Sequence, residues 1–184
     1  MRLLLLLLLF SASLAHAGDR SHRLQFGIDA TVGTGYRVLF KYGSAQTCGH
    51  GGDSVCYGRL PTWLDLKAYF GVGRAIDVVV EQRIGLENDF TASRPLVIMP
   101  GVRVYPLGTQ PLKFFVQVQG VFDFTSTTGL QLAQYDFGIH EVNGFAWDFA
   151  RWAGVYFQIS ETFAFVRSFE FQLEAGAGLG GRFP

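Results

Sequence analysis

The last stretch of the chain, Phe169 to Phe183 (FEFQLEAGAGLGGRF), alternates between two kinds of residue without a break, and few folds can accommodate it. Phe169, Phe171, Leu173, Ala175, Ala177, Leu179 and Phe183 fall on one side, while Glu170, Gln172, Glu174, the glycines and Arg182 fall on the other. Successive side chains of a strand point to opposite faces, so the stretch reads as one long strand with a greasy face and a charged face. A strand of about ten or more residues with this polarity is what a transmembrane β-barrel requires, with lipid outside and a polar lumen inside.

Composition narrows the class. At 184 residues the chain holds one domain. Lys plus Arg and Asp plus Glu both number 15, so the formal charge is zero and nothing in the balance points to nucleic acid. Beyond residue 17 no run approaches the roughly 20 consecutive apolar residues of a membrane helix, which excludes a helical membrane protein. The 23 glycines and 18 phenylalanines suit close-packed interior positions and aromatic anchors at membrane interfaces.

Residues 1–17 read as a secretory leader. Arg2 supplies the charged region, Leu3 to Phe10 the apolar core, and Ala15-His16-Ala17 the cleavage site, leaving 18–184 as the barrel domain. The first strand is expected at Arg23 to Val32, with its phase continuing through Tyr36, Val38, Phe40 and Tyr42. Gly43 to Gly58 is then a loop holding Cys48 and Cys56, which in an exported protein are expected to form a disulfide. His50 and Asp53 lie between them, but two thiols and one His fit no common zinc spacing, so no metal and no other cofactor is expected.

Further strands are expected at Trp63–Val72, Ile76–Leu86, Leu96–Tyr105, Leu112–Phe124, Asp136–Trp147 and Gly154–Ser160, with polar loops at Glu87–Pro95 and Thr125–Tyr135. Three blemishes stand out. Gln82 falls on a lipid face; Pro100, without an N–H for the ladder, predicts a bulge; and strict alternation from Phe137 and Ile139 would put Glu141 and Asn143 in lipid, so a second bulge is expected near Glu141. With the terminal strand the count is about eight, an up-and-down meander with no free edge.

In this pattern the chain resembles the small outer-membrane β-barrels, namely the OmpA transmembrane domain and the OmpX/Ail group. The ending Leu179-Gly180-Gly181-Arg182-Phe183-Pro184 is similar to the terminal strand, closing in an aromatic, that the barrel assembly machinery reads, although here Pro184 follows the aromatic. The resemblance implies a monomer in the outer membrane of a Gram-negative bacterium, in contact with outer-membrane lipids, lipopolysaccharide and that machinery.

A barrel of about eight strands has an interior just wide enough for side chains, so inward charges must pair there. The expected lumen network comprises Asp29, Asp65, Lys67, Glu81, Arg83, Arg103, Glu174 and Arg182. Asp29 is placed with Asp65, Lys67, Glu81, Arg83 and Glu174 in a middle layer that has more acids than bases. Two aromatic girdles are expected: Phe26, Phe70, Phe114 and Phe183 at the turn end, and Phe122, Phe124, Phe137 and Phe169 at the loop end.

The leading reading is a structural or surface-interaction protein. A secreted lipocalin-like carrier of an apolar ligand is the alternative, and it would have the opposite polarity. A lipid-modifying enzyme is a further alternative. Gly138-Ile139-His140-Glu141-Val142-Asn143 invites comparison with the His-x-Ser motif of lipid A deacylases, but Val142 stands where the serine should be, so no catalytic residue is expected.

Overall fold

The computed structural model describes residues 22–42, 50–51, 54–88, 94–108, 110–125, 135–150 and 152–183. The expected leader and Cys48 lie outside these residues, as do Asp53 and parts of the two polar loops. The described residues form ten strands: β1 Phe26–Lys41, β2 His50–Gly51, β3 Val55–Arg59, β4 Trp63–Gly71, β5 Ile76–Gly85, β6 Leu96–Val104, β7 Leu112–Asp123, β8 Asp136–Trp147, β9 Ala153–Ala164 and β10 Ser168–Phe183. Strands β1 and β4 to β10 pair antiparallel in chain order, and β10 returns to β1, closing an eight-stranded up-and-down barrel. Closure satisfies the backbone groups that an open sheet would leave at its edges.

The register fixes the shape. From Phe26 the ladder runs sideways through Phe70, Val78, Val102, Val118, Glu141, Glu161 and Leu173 and returns to β1 at Tyr36, ten residues above its start. With about 3.3 Å per residue and strands tilted by roughly 40°, that offset is about 25 Å of height, the thickness of an outward apolar band. Outward side chains such as Ile28, Val78, Val80, Val118 and Leu173 are exposed, whereas their inward neighbours on the same strands are buried.

The sequence expectations need correcting at five places. Leu24 is not in the first strand: it sits at φ 62 in a turn whose N–H donates to the Gly71 carbonyl. The strand runs to Lys41, in line with the phase carried on through Phe40, but the stretch read as the Gly43–Gly58 loop contributes β2 and β3, with β3 pairing onto the upper half of β1. Pro100 makes no bulge, because the β6–β7 register is the same on both sides of it and only the pairs at Met99 and Pro100 are missing. A missing donor on a lipid-facing residue costs one ladder bond, whereas a slip would turn the inward Met99 and Val97 away from Val121.

The bulge near Glu141 is also absent. β8 keeps one register with both neighbours, so Glu141 and Asn143 point outward. The reason lies inside: Val142 is fully buried against Tyr105, Phe115 and Tyr156, and a Cβ at Gly144 would lie 2.4 Å from the Phe115 ring. No side chain but hydrogen fits that slot, so the phase is fixed. Finally, β9 continues four residues past Ser160, which places Glu161 on the outward face beside Glu141.

Candidate functional site in the barrel lumen

Inward positions of the strands build four levels of charge. In the middle level Arg83, stacked 4.2 Å over the Trp63 ring, donates from Nε and Nη2 to Asp65 at 2.9 and 3.0 Å, and from Nη1 and Nη2 to Glu174 at 2.5 and 2.9 Å. One planar guanidinium thus binds two carboxylates bidentately, which a lysine could not do. Lys67 lies 3.1 Å from Glu81 and donates to Gln158 at 3.4 Å; Ser160 adds a third donor to Glu174 at 3.0 Å. All of these groups are buried.

Asp29 is not a member of that layer. It pairs with Arg103 at 3.1 Å nearer the turn end, where Arg103 also donates to Gln117 at 2.9 Å. Below it, Arg182 donates to Asp77 at 2.8 Å and Lys113 to Asp148 at 2.6 Å. At the loop end Arg37 meets Glu170 at 3.3 Å, and Arg167 meets Asp123 at 3.0 Å. The middle acids therefore number three, Asp65, Glu81 and Glu174, against Lys67 and Arg83.

Sequence reading passed over several lumen residues. Arg37 sits on the same phase as Asp29 and could have been counted from it. Phe115 and Tyr156 form an aromatic floor whose inward direction also followed from alternation. His22 is different: no periodicity reaches it. The chain before β1 folds back into the turn end, its bonds being His22 N–H to the Arg74 carbonyl and Gln25 N–H to the His22 carbonyl. The imidazole, fully buried, lies 3.4 Å from Asp77, 3.2 Å from Lys113 and edge-on to Tyr105 at 4.4 Å. Burial holds its pKa below the ordinary histidine value, against the opposing pull of Asp77. His22 thus stoppers that mouth, and the cavity between Arg103, Tyr105, Lys113 and Arg182 measures about 30 Å³, room for a water or two.

The outside is aromatic where the inside is charged. Phe26 lies opposite both Phe70 and Phe183, with Phe114 on the same face, at the turn end; Phe122 packs edge-on to Phe137 at 5.3 Å, with Phe124 and Phe169 also outward, at the loop end. Phe145, Phe163 and Phe171 add to the two levels. This polarity is the reverse of what an apolar-ligand carrier needs. His140 is fully buried in the lumen, hydrogen-bonded through Nδ1 to Thr162 at 2.6 Å, so it faces away from the lipid that a lipid-modifying enzyme would act on.

The closed eight-stranded meander has known counterparts in shape. The N-terminal barrel of Pseudomonas aeruginosa OprF matches at TM-score 0.57 and 11% identity over 88% of this chain and 98% of that one. Neisserial surface protein A matches at 0.59 and 9%, over 85% and 96%. The attachment invasion locus protein Ail of Yersinia pestis matches at 0.55 and 11%, over 88% and 99%. This is the fold of the small outer-membrane β-barrels. No protein-family model and no curated protein matches the chain, so the likeness lies in the shape rather than in a sequence signature.

Proposed function

We propose that this protein is an integral protein of the outer membrane of a Gram-negative bacterium, whose closed barrel acts as a structural or surface-interaction element rather than as a pore. The observation that carries this reading is Arg83 bound to both Asp65 and Glu174 across the lumen, which spends the charges on one another instead of on a water column. In this reading residues 1–17 are removed on export, the barrel assembly machinery reads the β10 strand, and a monomeric barrel contacts outer-membrane lipids and lipopolysaccharide. Surface work falls to the loop end, where β3 extends the barrel wall beyond the apolar band.

Planar-bilayer recording tests the plug. The purified protein is expected to give no stable conductance, and a large ohmic current would replace the plug with a pore. Location is tested by fractionation: the protein should sediment with outer membranes and need detergent for extraction, whereas release by osmotic shock would favour a soluble carrier.

The disulfide belongs to the same proposal. Cys56, on β3, is buried. A bridge to Cys48 would close a short loop worth about 2–3 kcal/mol. Unreduced protein should therefore resist maleimide, and reduction should leave the barrel folded.

A further inference from the structure

The outward ladder row that starts at Phe26 reads Phe26, Phe70, Val78, Val102, Val118, Glu141, Glu161, Leu173, Tyr36. Two neighbours in this greasy row are glutamates. Both are exposed, and they face each other directly across the β8–β9 pair. On β8, Glu141 lies four residues from Phe137 above and four from Phe145 below, so it sits about 10 Å of height from either ring level once the strand tilt is included. Among the described residues these are the only ionisable side chains on the outward face between the aromatic levels, and no cation shares that band.

This arrangement is costly as it stands. Like charges directly opposite on a sheet repel, and a charged side chain facing lipid at mid-depth is unfavourable. Among the described residues the donor to the pair is Asn143, whose Nδ2 reaches Glu141 at 3.2 Å; it brings no charge. Lipid headgroups sit at the aromatic levels, about 10 Å from Glu141, although Glu161 is nearer to one, two residues from Phe163 on β9. A second copy of this chain would supply none either, since its own outward band holds no cation, and a two-fold contact would gather four carboxyl groups. What complements the pair is a basic side chain held at that depth by another membrane-embedded protein. Room for a close approach exists beside it, because a Cβ on Gly120, outward on β7 next to Ile139, would meet nothing nearer than the Phe122 ring at 3.6 Å.

We propose that the β8–β9 face is an intramembrane docking surface for a second protein that presents a lysine or arginine to Glu141 and Glu161 inside the bilayer. The proposal rests on the membrane-spanning reading above, so insertion is established first, by heat-modifiable gel migration of the purified protein folded into phosphatidylcholine vesicles. A failure to insert would count against that reading, and only inserted protein enters the second step. The probe is a dansyl-labelled single-span peptide of leucine with one central arginine, compared with its all-leucine twin, and association is read by energy transfer from the barrel tryptophans. The arginine peptide is expected to bind at least about tenfold more tightly. That preference should vanish in the inserted double variant Glu141→Gln with Glu161→Gln and persist in Gln82→Ala, on the far side of the barrel. Equal binding of the two peptides would overturn the proposal. So would self-association of the wild type that the double variant abolishes, which would make the occupant a second copy.

Discussion

Replacing Arg83 by methionine is expected to cost the folded barrel about 3–5 kcal/mol, the loss typical of breaking a buried ion pair from one side. The side chain donates four hydrogen bonds to Asp65 and Glu174, both fully or almost fully buried, and methionine keeps its bulk without any of its donors. Two carboxylates would then face each other with Ser160 as the donor left to Glu174. Lys67 can replace little of this, because Glu81 and Gln158 engage two of the three N–H groups of its ammonium. Removing the acids as well, in Arg83→Met with Asp65→Asn and Glu174→Gln, should recover most of the loss, since the penalty comes from stranded charge rather than from the missing cation. Val80→Leu, on the lipid face of the same strand, should stay within about 0.5 kcal/mol. Equilibrium urea unfolding in vesicles measures all three. A loss below about 1 kcal/mol for Arg83→Met would mean that water reaches these carboxylates.

Gly71→Ala should expel the His22 stopper. An alanine Cβ there would lie 1.7 Å from the His22 carbonyl oxygen, and that atom is backbone, so it cannot swing aside as a side-chain tip would. Displacing it breaks the bonds that join His22 and Gln25 and those that tie Leu24 and Gln25 to Gly71, and withdraws the imidazole from between Asp77 and Lys113. Overpacking and lost bonds together predict a cost of about 2–3 kcal/mol, with the amides of Leu24 and Gln25 exchanging like those of a free peptide. A pH signature separates this from general damage. In the wild type the folded imidazole has a lowered pKa, so as pH falls through about 6.5 the unfolded chain takes up a proton that the folded chain refuses, and stability declines. In Gly71→Ala, with the imidazole in solvent, that part of the decline should disappear, as it should in His22→Gln.

The sequence by itself determined the barrel. Period-two alternation in β4, β5, β7 and β10 can bury charge and expose grease only if the strands close on a polar lumen in lipid, so strand number, polarity and the inward identity of Asp65, Lys67, Glu81, Arg83 and Glu174 were all legible from local pattern. What local pattern could not weigh was cost across the lumen. At Pro100 and Glu141 a bulge looked cheaper than a missing bond or a lipid-facing carboxylate, but a register slip would have turned a whole strand end over, and the Phe115 ring against Gly144 leaves no room for that. Pairing was likewise a tertiary matter. That Asp29 belongs to Arg103 rather than to Arg83 follows from a ten-residue offset accumulated over eight strands, a quantity no single strand contains. The register of the β8–β9 hairpin sets Glu141 beside Glu161, and the turn before β1 carries His22 into the mouth. Alternation alone shows neither, because it tells which way a side chain points and not which residue a hairpin register or a turn sets against it.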